Sequence, residues 1–113
     1  MIILKSIYLY SPSGDLLVLG WGGTYGALRS AVEKAQSKGY SVSHLHLRHL
    51  NPFPPNLGEL LVNYKKVLIP ELNLGQLNTM IRSQFLIDTK EYNLVAGRPF
   101  KSSEILEKIE TLI

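Results

Sequence analysis

The chain has 113 residues, of which 45% are hydrophobic and 19% are charged, a composition that suits one globular domain and excludes intrinsic disorder. The formal net charge is +3, and the 12 Lys and Arg residues are scattered, so we expect no nucleic-acid partner, which a clustered basic patch would indicate. The chain has no cysteine, which excludes disulfides, thiolate metal sites and iron–sulfur ligation within it.

The sequence also bears on the cellular compartment of the protein and on its association with membranes. No apolar run approaches the roughly 20 residues of a membrane-spanning helix. The first residues, MIILKSIYLY, have no basic segment ahead of the apolar stretch, unlike a secretory signal peptide. We therefore expect a cytoplasmic protein with no membrane partner, and the lack of cysteine fits this.

The first half of the chain predicts three strands and a helix. Residues 3–10 and 16–19 are apolar and β-prone, and a turn signal at 11–14 separates them. A helical pattern with Thr24 as its cap begins at Tyr25 and stops at Gly39. Alternation from Ser41 to Leu47 then predicts a third strand.

The second half predicts two strands and three helices. A short helix over 57–63 precedes the buried strand Val67–Ile69, and Asn73 can cap a helix over 74–84. A short strand over 93–96 and a helix starting near Ser102 follow. The spacing in the third helix predicts burial of Leu74, Leu77 and Ile81, and of Leu86 beyond it.

This alternation of elements predicts an α/β fold with three layers, in which helices cover both faces of a mostly parallel sheet. In such a sheet, ligands and partners are met at the carboxyl ends of the strands. Polar residues follow three of the predicted strands, so we expect a binding or docking edge there. The candidate residues of this edge are Trp21, Gly22, Thr24, Tyr25, Arg48, Asn51, Glu71, Asn73 and Gln76.

The glycines from Gly20 to Gly26 lie between a strand and a helix, where backbone N–H groups can meet an anion. The dinucleotide fingerprint is not matched, because Tyr25 stands where its third glycine belongs. A tight turn and direct anion contact both remain open interpretations, the first being favoured. Trp21 and Tyr25 are expected to be interface or packing aromatics.

Other polar residues offer weaker signals. His44 and His46 share a strand face, but His49 falls off that alternation, so we expect a packed strand face and no metal site. Arg48 and Glu71 are candidates for an ion pair across the edge, or for contact with a partner or ligand. No Ser-His-Asp or paired-carboxylate arrangement is present, and we predict no catalytic residue.

Three ordered stretches resemble one known family: GWGGTYGAL (20–28), HLRHLNPFPPNLGELL (46–61) and VLIPELNLGQL (67–77). They are similar to the C-terminal domain of the α subunit of 2-oxoacid:ferredoxin oxidoreductases, especially the 2-oxoglutarate type. The segment 93–100 resembles that family's end. Gly23 stands where the family often carries Ser. The resemblance implies a transketolase C-terminal-domain-like fold, with a five-stranded, mostly parallel sheet whose first strand is antiparallel.

The resemblance also implies a parent complex that oxidatively decarboxylates a 2-oxoacid, expected to be 2-oxoglutarate, with coenzyme A to the acyl-CoA, and passes electrons to ferredoxin. That family uses thiamine diphosphate with Mg²⁺ and an iron–sulfur cluster. We expect this domain alone to bind none of these cofactors. The implied partners are the rest of the α subunit, a β subunit and, through the complex, ferredoxin; a homodimer is a further option.

On this reading, residues 1–113 form a single domain, a fragment of a longer α subunit or a stand-alone relative. We expect the isolated domain to be inactive and to serve structure and subunit docking. The alternative is a stand-alone module that binds a phosphate-bearing ligand such as coenzyme A at the turn from Gly20 to Gly26.

Overall fold

The computed structural model describes residues 6–9, 13–48, 50, 53 and 55–113. The predicted roles of His49 and Asn51, and parts of the first predicted strand and of the turn after it, lie outside the described residues. The strands are β1 Ser6–Leu9, β2 Gly14–Trp21, β3 Val42–Leu47, β4 Tyr64–Glu71 and β5 Lys90–Asn93. The helices are α1 Tyr25–Ser37, α2 Leu57–Leu61, α3 Gln76–Phe85 and α4 Ser102–Leu112.

The strands form one sheet in the order β1-β3-β2-β4-β5. The pairs β2–β3, β2–β4 and β4–β5 are parallel. β1 lies antiparallel to β3, with Ser6 opposite Leu47 and Leu9 opposite His44. The α/β class and the parallel sheet expected from the sequence are confirmed.

Two apolar clusters lie on opposite faces of the sheet, because successive side chains of a strand point to opposite faces. Leu17 and Leu19 of β2 pack in the cluster that includes residues of α2 and α3. Leu16 and Val18 pack in the cluster that includes residues of α1 and α4. The described helices thus cover both faces of the sheet, and the ends of the strands are left uncovered by them.

Two predicted core residues are exposed instead. Leu74 and Leu86 are each 87% exposed. α3 begins only at Gln76, so Leu74 lies ahead of the helix and off its buried stripe. Leu86 adopts the left-handed conformation that ends α3, with φ of 56°, and therefore leaves the helical repeat.

The last strand also differs from its prediction, since β5 spans Lys90–Asn93 rather than 93–96. Its residues alternate between half-buried and exposed, so it lacks the continuous apolar run of a central strand. The apolar residues that follow Asn93 instead begin the connection to α4. Among the described helices, none has the length and apolar character that a bilayer crossing requires.

Candidate functional site

The carboxyl ends of β2 and β4 diverge at the centre of the sheet. The chain leaves β2 toward β3 on one side, whereas β4 pairs with the other side of β2. Such a switch point opens a crevice in parallel sheets. A cleft of about 230 Å³ lies there, lined by Trp21, Gly22, Gly23, Thr24, Glu71, Leu72 and Asn73. Five predicted edge residues therefore meet in one place: Trp21, Gly22, Thr24, Glu71 and Asn73.

The wall of the cleft on the β2 side is a tight turn. β2 ends at Trp21 in extended conformation, and Gly22–Thr24 form a short 3-10 helix before α1. Gly22 has φ of +62°, a left-handed conformation that favours glycine. The expectation that the Thr24 side chain caps α1 is wrong, because its hydroxyl donates to the Trp21 carbonyl at 3.0 Å and closes the turn instead.

Glu71 joins the two sides of the cleft. Its side chain is 1% exposed, and its Oε1 accepts hydrogen bonds from Trp21 Nε1 at 3.0 Å and from the Leu77 backbone N–H at 2.7 Å. Its Oε2 accepts from the Asn78 backbone N–H at 3.0 Å. The N-terminal end of a helix favours a negative group, so α3 is a suitable neighbour for this carboxylate.

Asn73 completes the start of α3. Its Oδ1 accepts from the backbone N–H groups of Gly75 at 2.8 Å and Gln76 at 2.9 Å. Asn73 was predicted to cap a helix that starts at Leu74, but α3 begins at Gln76 and its N-cap residue is Gly75. Asn73 instead holds the turn that leads into the helix. Glu71 and Asn73 together accept from four successive backbone N–H groups, the orphan donors of a helix start.

The expected ion pair between Arg48 and Glu71 is wrong. Of the salt bridges in the described part of the chain, none joins these two residues, and Arg48 is exposed. β2 lies between β3 and β4, so the ends that carry Arg48 and Glu71 are not neighbours. Gln76 is exposed at the start of α3 and does not line the cleft.

Tyr25 lies behind the turn rather than in the cleft. Its ring centroid is 5.6 Å from that of His44 and 5.1 Å from that of His46. Its hydroxyl accepts a hydrogen bond from Arg29 Nη1 at 2.8 Å. His46 Nε2 donates a hydrogen bond to the Gly22 carbonyl at 3.1 Å, and this bond holds the turn against β3. Tyr25 therefore packs over the histidines of β3.

His44 is completely buried beside them. Neither of its ring nitrogens has a hydrogen-bond partner among the described residues. Burial, with smaller effects of His46 and Arg29, lowers the pKa of His44 to about 3. Burial also lowers the pKa of His46, against the effect of its bond to Gly22. The residues that the structure describes contain no group of three or more His, Asp or Glu placed to hold a metal.

Sequence reasoning missed the Trp21–Glu71 hydrogen bond. Glu71 was expected to face Arg48, yet its indole partner lies 50 residues earlier in the chain. No spacing rule links two side chains at that separation. The order of β2 and β4 in the sheet brings them together, and that order was not read from the sequence.

The fold of the chain resembles that of a known class of proteins. A solved split-gene transketolase, described as an inactive beta4 tetramer, superposes with a TM-score of 0.68 at 11% identity, over 88% of this chain and 38% of that chain. This likeness shows a transketolase-like fold alone. The family follows from the sequence itself: residues 14–107 match pyruvate:ferredoxin oxidoreductase core domain II, and the chain belongs to that family.

Two relatives are more similar. The 2-oxoglutarate oxidoreductase subunit KorA of Mycobacterium tuberculosis is 49% identical over 96 residues, which is 83% of this chain and 15% of that protein. A solved 2-oxoglutarate:ferredoxin oxidoreductase from Magnetococcus marinus, with 2-oxoglutarate, coenzyme A and succinyl-CoA bound, has a TM-score of 0.89 at 26% identity. That match covers 96% of this chain and 19% of that chain. The chain thus spans less than a fifth of either relative.

Proposed function

We propose that this chain is the structural and subunit-docking domain of a 2-oxoacid:ferredoxin oxidoreductase α subunit. The complex would oxidatively decarboxylate a 2-oxoacid, 2-oxoglutarate by similarity, with coenzyme A to acyl-CoA, and pass electrons to ferredoxin. The observation that supports the docking role is that the Glu71 carboxylate is fully engaged in hydrogen bonds within the protein. Glu71 is the only titratable side chain among the described residues lining the cleft, and both its oxygens already accept protein N–H groups.

That arrangement argues for docking rather than chemistry at this edge. A general base must come within hydrogen-bond reach of a substrate proton, and Glu71 is only 1% exposed. Glu71 instead uses three hydrogen bonds to fix the turn after β2 against the start of α3. Such a rigid, preorganised surface suits association, since ordering loops on binding costs affinity.

The surface beside the cleft is apolar. Leu72 is 37% exposed and lines both the cleft and a second cavity of about 360 Å³. The remaining lining of that cavity is Leu94, Val95, Ala96, Gly97, Arg98 and Pro99. An apolar centre with polar groups at its rim is the usual composition of a protein interface. The proposed partners are the rest of the α subunit and a β subunit, with ferredoxin met through the assembled complex.

The family's cofactors do not fit this chain alone. An iron–sulfur cluster is held by cysteine thiolates, and the chain has none. The Mg²⁺ that accompanies a diphosphate takes oxygen ligands, and the one carboxylate among the described residues lining the cleft, Glu71, already accepts three protein N–H groups. Thiamine diphosphate, Mg²⁺ and the cluster are therefore assigned to other parts of the complex in this proposal.

The alternative, a phosphate-bearing ligand such as coenzyme A at the turn from Gly20 to Gly26, has less support. Glu71 lines the same cleft, and no Lys or Arg among the described residues does. A phosphate placed there would meet a carboxylate of like charge. Calorimetry with coenzyme A tests this alternative: tight binding by the chain that Gly22→Glu abolishes would favour it over docking.

The docking proposal is tested by splitting the enzyme. The α and β subunits are produced without this domain, and the 113-residue chain is added as a separate polypeptide. We expect the chain to co-elute with them and to restore 2-oxoglutarate- and coenzyme A-dependent dye reduction, while the chain alone reduces no dye. Turnover by the chain alone, or full activity of the complex without it, would overturn the proposal.

Two matched variants locate the surface. Leu72→Glu places a charge in the carboxyl edge, and we expect it to abolish co-elution. Val62→Glu places the same charge on a 67% exposed residue that precedes β4, at the other end of the sheet, and should leave co-elution unchanged. Unchanged co-elution of Leu72→Glu would place the contact elsewhere, and equal loss in both variants would show a general effect of the added charge.

A further inference from the structure

We infer that Glu71 is a positioning residue of the docking edge: its carboxylate holds the Trp21 indole as a wall of the cleft and couples that indole to the start of α3. The inference deepens the proposed docking function and rests on it for its biological meaning. Its structural content, however, is measurable in this chain by itself.

The coupling resides in a single oxygen atom. Glu71 Oε1 accepts from both Trp21 Nε1, at 3.0 Å, and the Leu77 backbone N–H, at 2.7 Å. A displacement of the indole therefore changes the hydrogen bond that Oε1 accepts from the first turn of α3, and a displacement of α3 changes the hydrogen bond that Oε1 accepts from the indole. Since Glu71 is 1% exposed, bulk water is poorly placed to replace either bond.

Trp21 depends on this bond for its orientation. Its backbone is fixed because the Trp21 carbonyl accepts the Thr24 hydroxyl proton. Its side chain is half-buried and packs against the cluster on the α2 and α3 face. The hydrogen bond to Glu71 sets the direction of the indole N–H group and so determines which ring face borders the cleft.

The second cap of α3 provides a natural contrast. Asn73 Oδ1 accepts from the backbone N–H groups of Gly75 and Gln76, and among the described residues no bond joins it to Trp21. Both side chains line the cleft and both hold the start of α3. Only Glu71 also holds the indole, so the two residues separate helix capping from positioning of Trp21.

The test uses Trp21 as the single tryptophan of the chain. The indole N–H gives one resonance in a proton–nitrogen correlation spectrum of the full chain. Glu71→Gln keeps a carbonyl oxygen but removes its negative charge, and we expect the indole N–H to exchange with solvent about tenfold faster, the difference between a hydrogen bond to a charged acceptor and one to a neutral acceptor. In Asn73→Ala we expect the indole exchange rate to be unchanged, although the amides of Gly75 and Gln76 exchange faster.

Equal effects of both variants on the indole, or no effect of either, would overturn the inference and leave Glu71 as a helix cap only. Should Glu71→Gln fail to fold, Trp21→Phe probes the coupling from the other side. It removes one donor from Oε1, so the Leu77 amide resonance should shift while that of Gln76 should not. An unmoved Leu77 resonance would equally overturn the inference.

Docking is measured separately, as co-elution of the chain with a complex of the β subunit and an α subunit that lacks this domain. If Glu71 acts through Trp21, adding Glu71→Gln to Trp21→Phe weakens co-elution no further, whereas additive losses contradict that route. If the wild-type chain shows the indole coupling but does not co-elute, the proposed function fails and the structural inference stands.

Discussion

Two buried titratable side chains lie on opposite sides of β2 and behave in opposite ways. Glu71 of β4 is surrounded by donors and accepts three hydrogen bonds. His44 of β3 is 0% exposed, and neither ring nitrogen has a partner among the described residues. A carboxylate is costly to bury without donors, whereas an imidazole can lose its proton and pack as an aromatic ring. The buried Glu71 thus joins two segments of the chain through hydrogen bonds, whereas the buried His44 packs as an ordinary core side chain.

The largest effect that this comparison predicts is at Glu71. Glu71→Leu leaves three N–H groups without an acceptor, and we expect the free energy of unfolding to fall by about 4 kcal/mol. Urea unfolding followed by far-UV circular dichroism measures it. Glu91→Leu is the control, because Glu91 is exposed and its pair with Arg82 is solvated, so little change is expected. A similar loss in both variants would break the comparison.

Gly20 tests how closely the histidine side is packed. A Cβ at Gly20 would lie 2.3 Å from Leu28 Cδ1 and 2.9 Å from His46 Nδ1, and Leu28 is fully buried. We expect Gly20→Ala to lower the free energy of unfolding by about 2–3 kcal/mol through overpacking. Gly23→Ala is the control, since a Cβ there meets nothing within 4 Å. A well-tolerated Gly20→Ala would mean that this region is looser than the distances indicate.

His44 predicts a pH dependence. Its folded pKa, about 3, lies below the unfolded value of 6.5, so protonation favours the unfolded chain. This contribution to stability is fully present above pH 6.5 and is lost as the pH falls toward 3. Between pH 7 and pH 5 it amounts to about 2 kcal/mol.

The His44→Leu variant isolates that contribution. Urea unfolding at pH 7 and pH 5 should show a smaller loss of stability on acidification than in wild type, by about the same 2 kcal/mol. Above pH 5 the carboxylates remain largely ionised in the unfolded chain, so they add little to the difference. Identical pH profiles would show that folding does not lower the pKa of His44 and would remove the contrast with Glu71.

Asn73 gives the smallest effect. Asn73→Ala removes one acceptor from the start of α3, and we expect a loss of about 1 kcal/mol, as for other capping side chains. Urea unfolding of the variant measures it beside Asn73→Asp, which keeps the acceptor oxygen and should stay near wild type. A loss as large as that of Glu71→Leu would show that capping alone, without Trp21, accounts for the importance of Glu71.

α1 shows how far local sequence goes. The residues of α1 that follow the helical apolar repeat, Leu28, Ala31, Val32 and Ala35, are all buried in the structure. Gly39, predicted to stop the helix, follows it with φ of +88°. These outcomes depend on a repeat of 3.6 residues and on the conformational freedom of one glycine, both of which are local properties.

The start of α3 shows where local reasoning fails. The spacing of Leu74 matched the helical repeat, yet two side chains from the β4 end, Glu71 and Asn73, fix the first turn at Gln76. Leu74 is thereby left outside the helix and exposed. The repeat alone could not indicate this, because one of the acceptors comes from a strand that the prediction had ended earlier.

The sequence by itself determined the α/β class, the order of the helical and strand segments, and the family, because hydrophobic periodicity and ordered motifs are local features of the chain. It also placed Trp21, Gly22, Thr24, Glu71 and Asn73 at strand ends. Only the tertiary structure decided which strand ends meet. β2 separates β3 from β4, so Arg48 is kept from Glu71 while Trp21 reaches it. Strand order depends on contacts summed over the whole sheet, and the partner of a side chain at a strand end follows from that order.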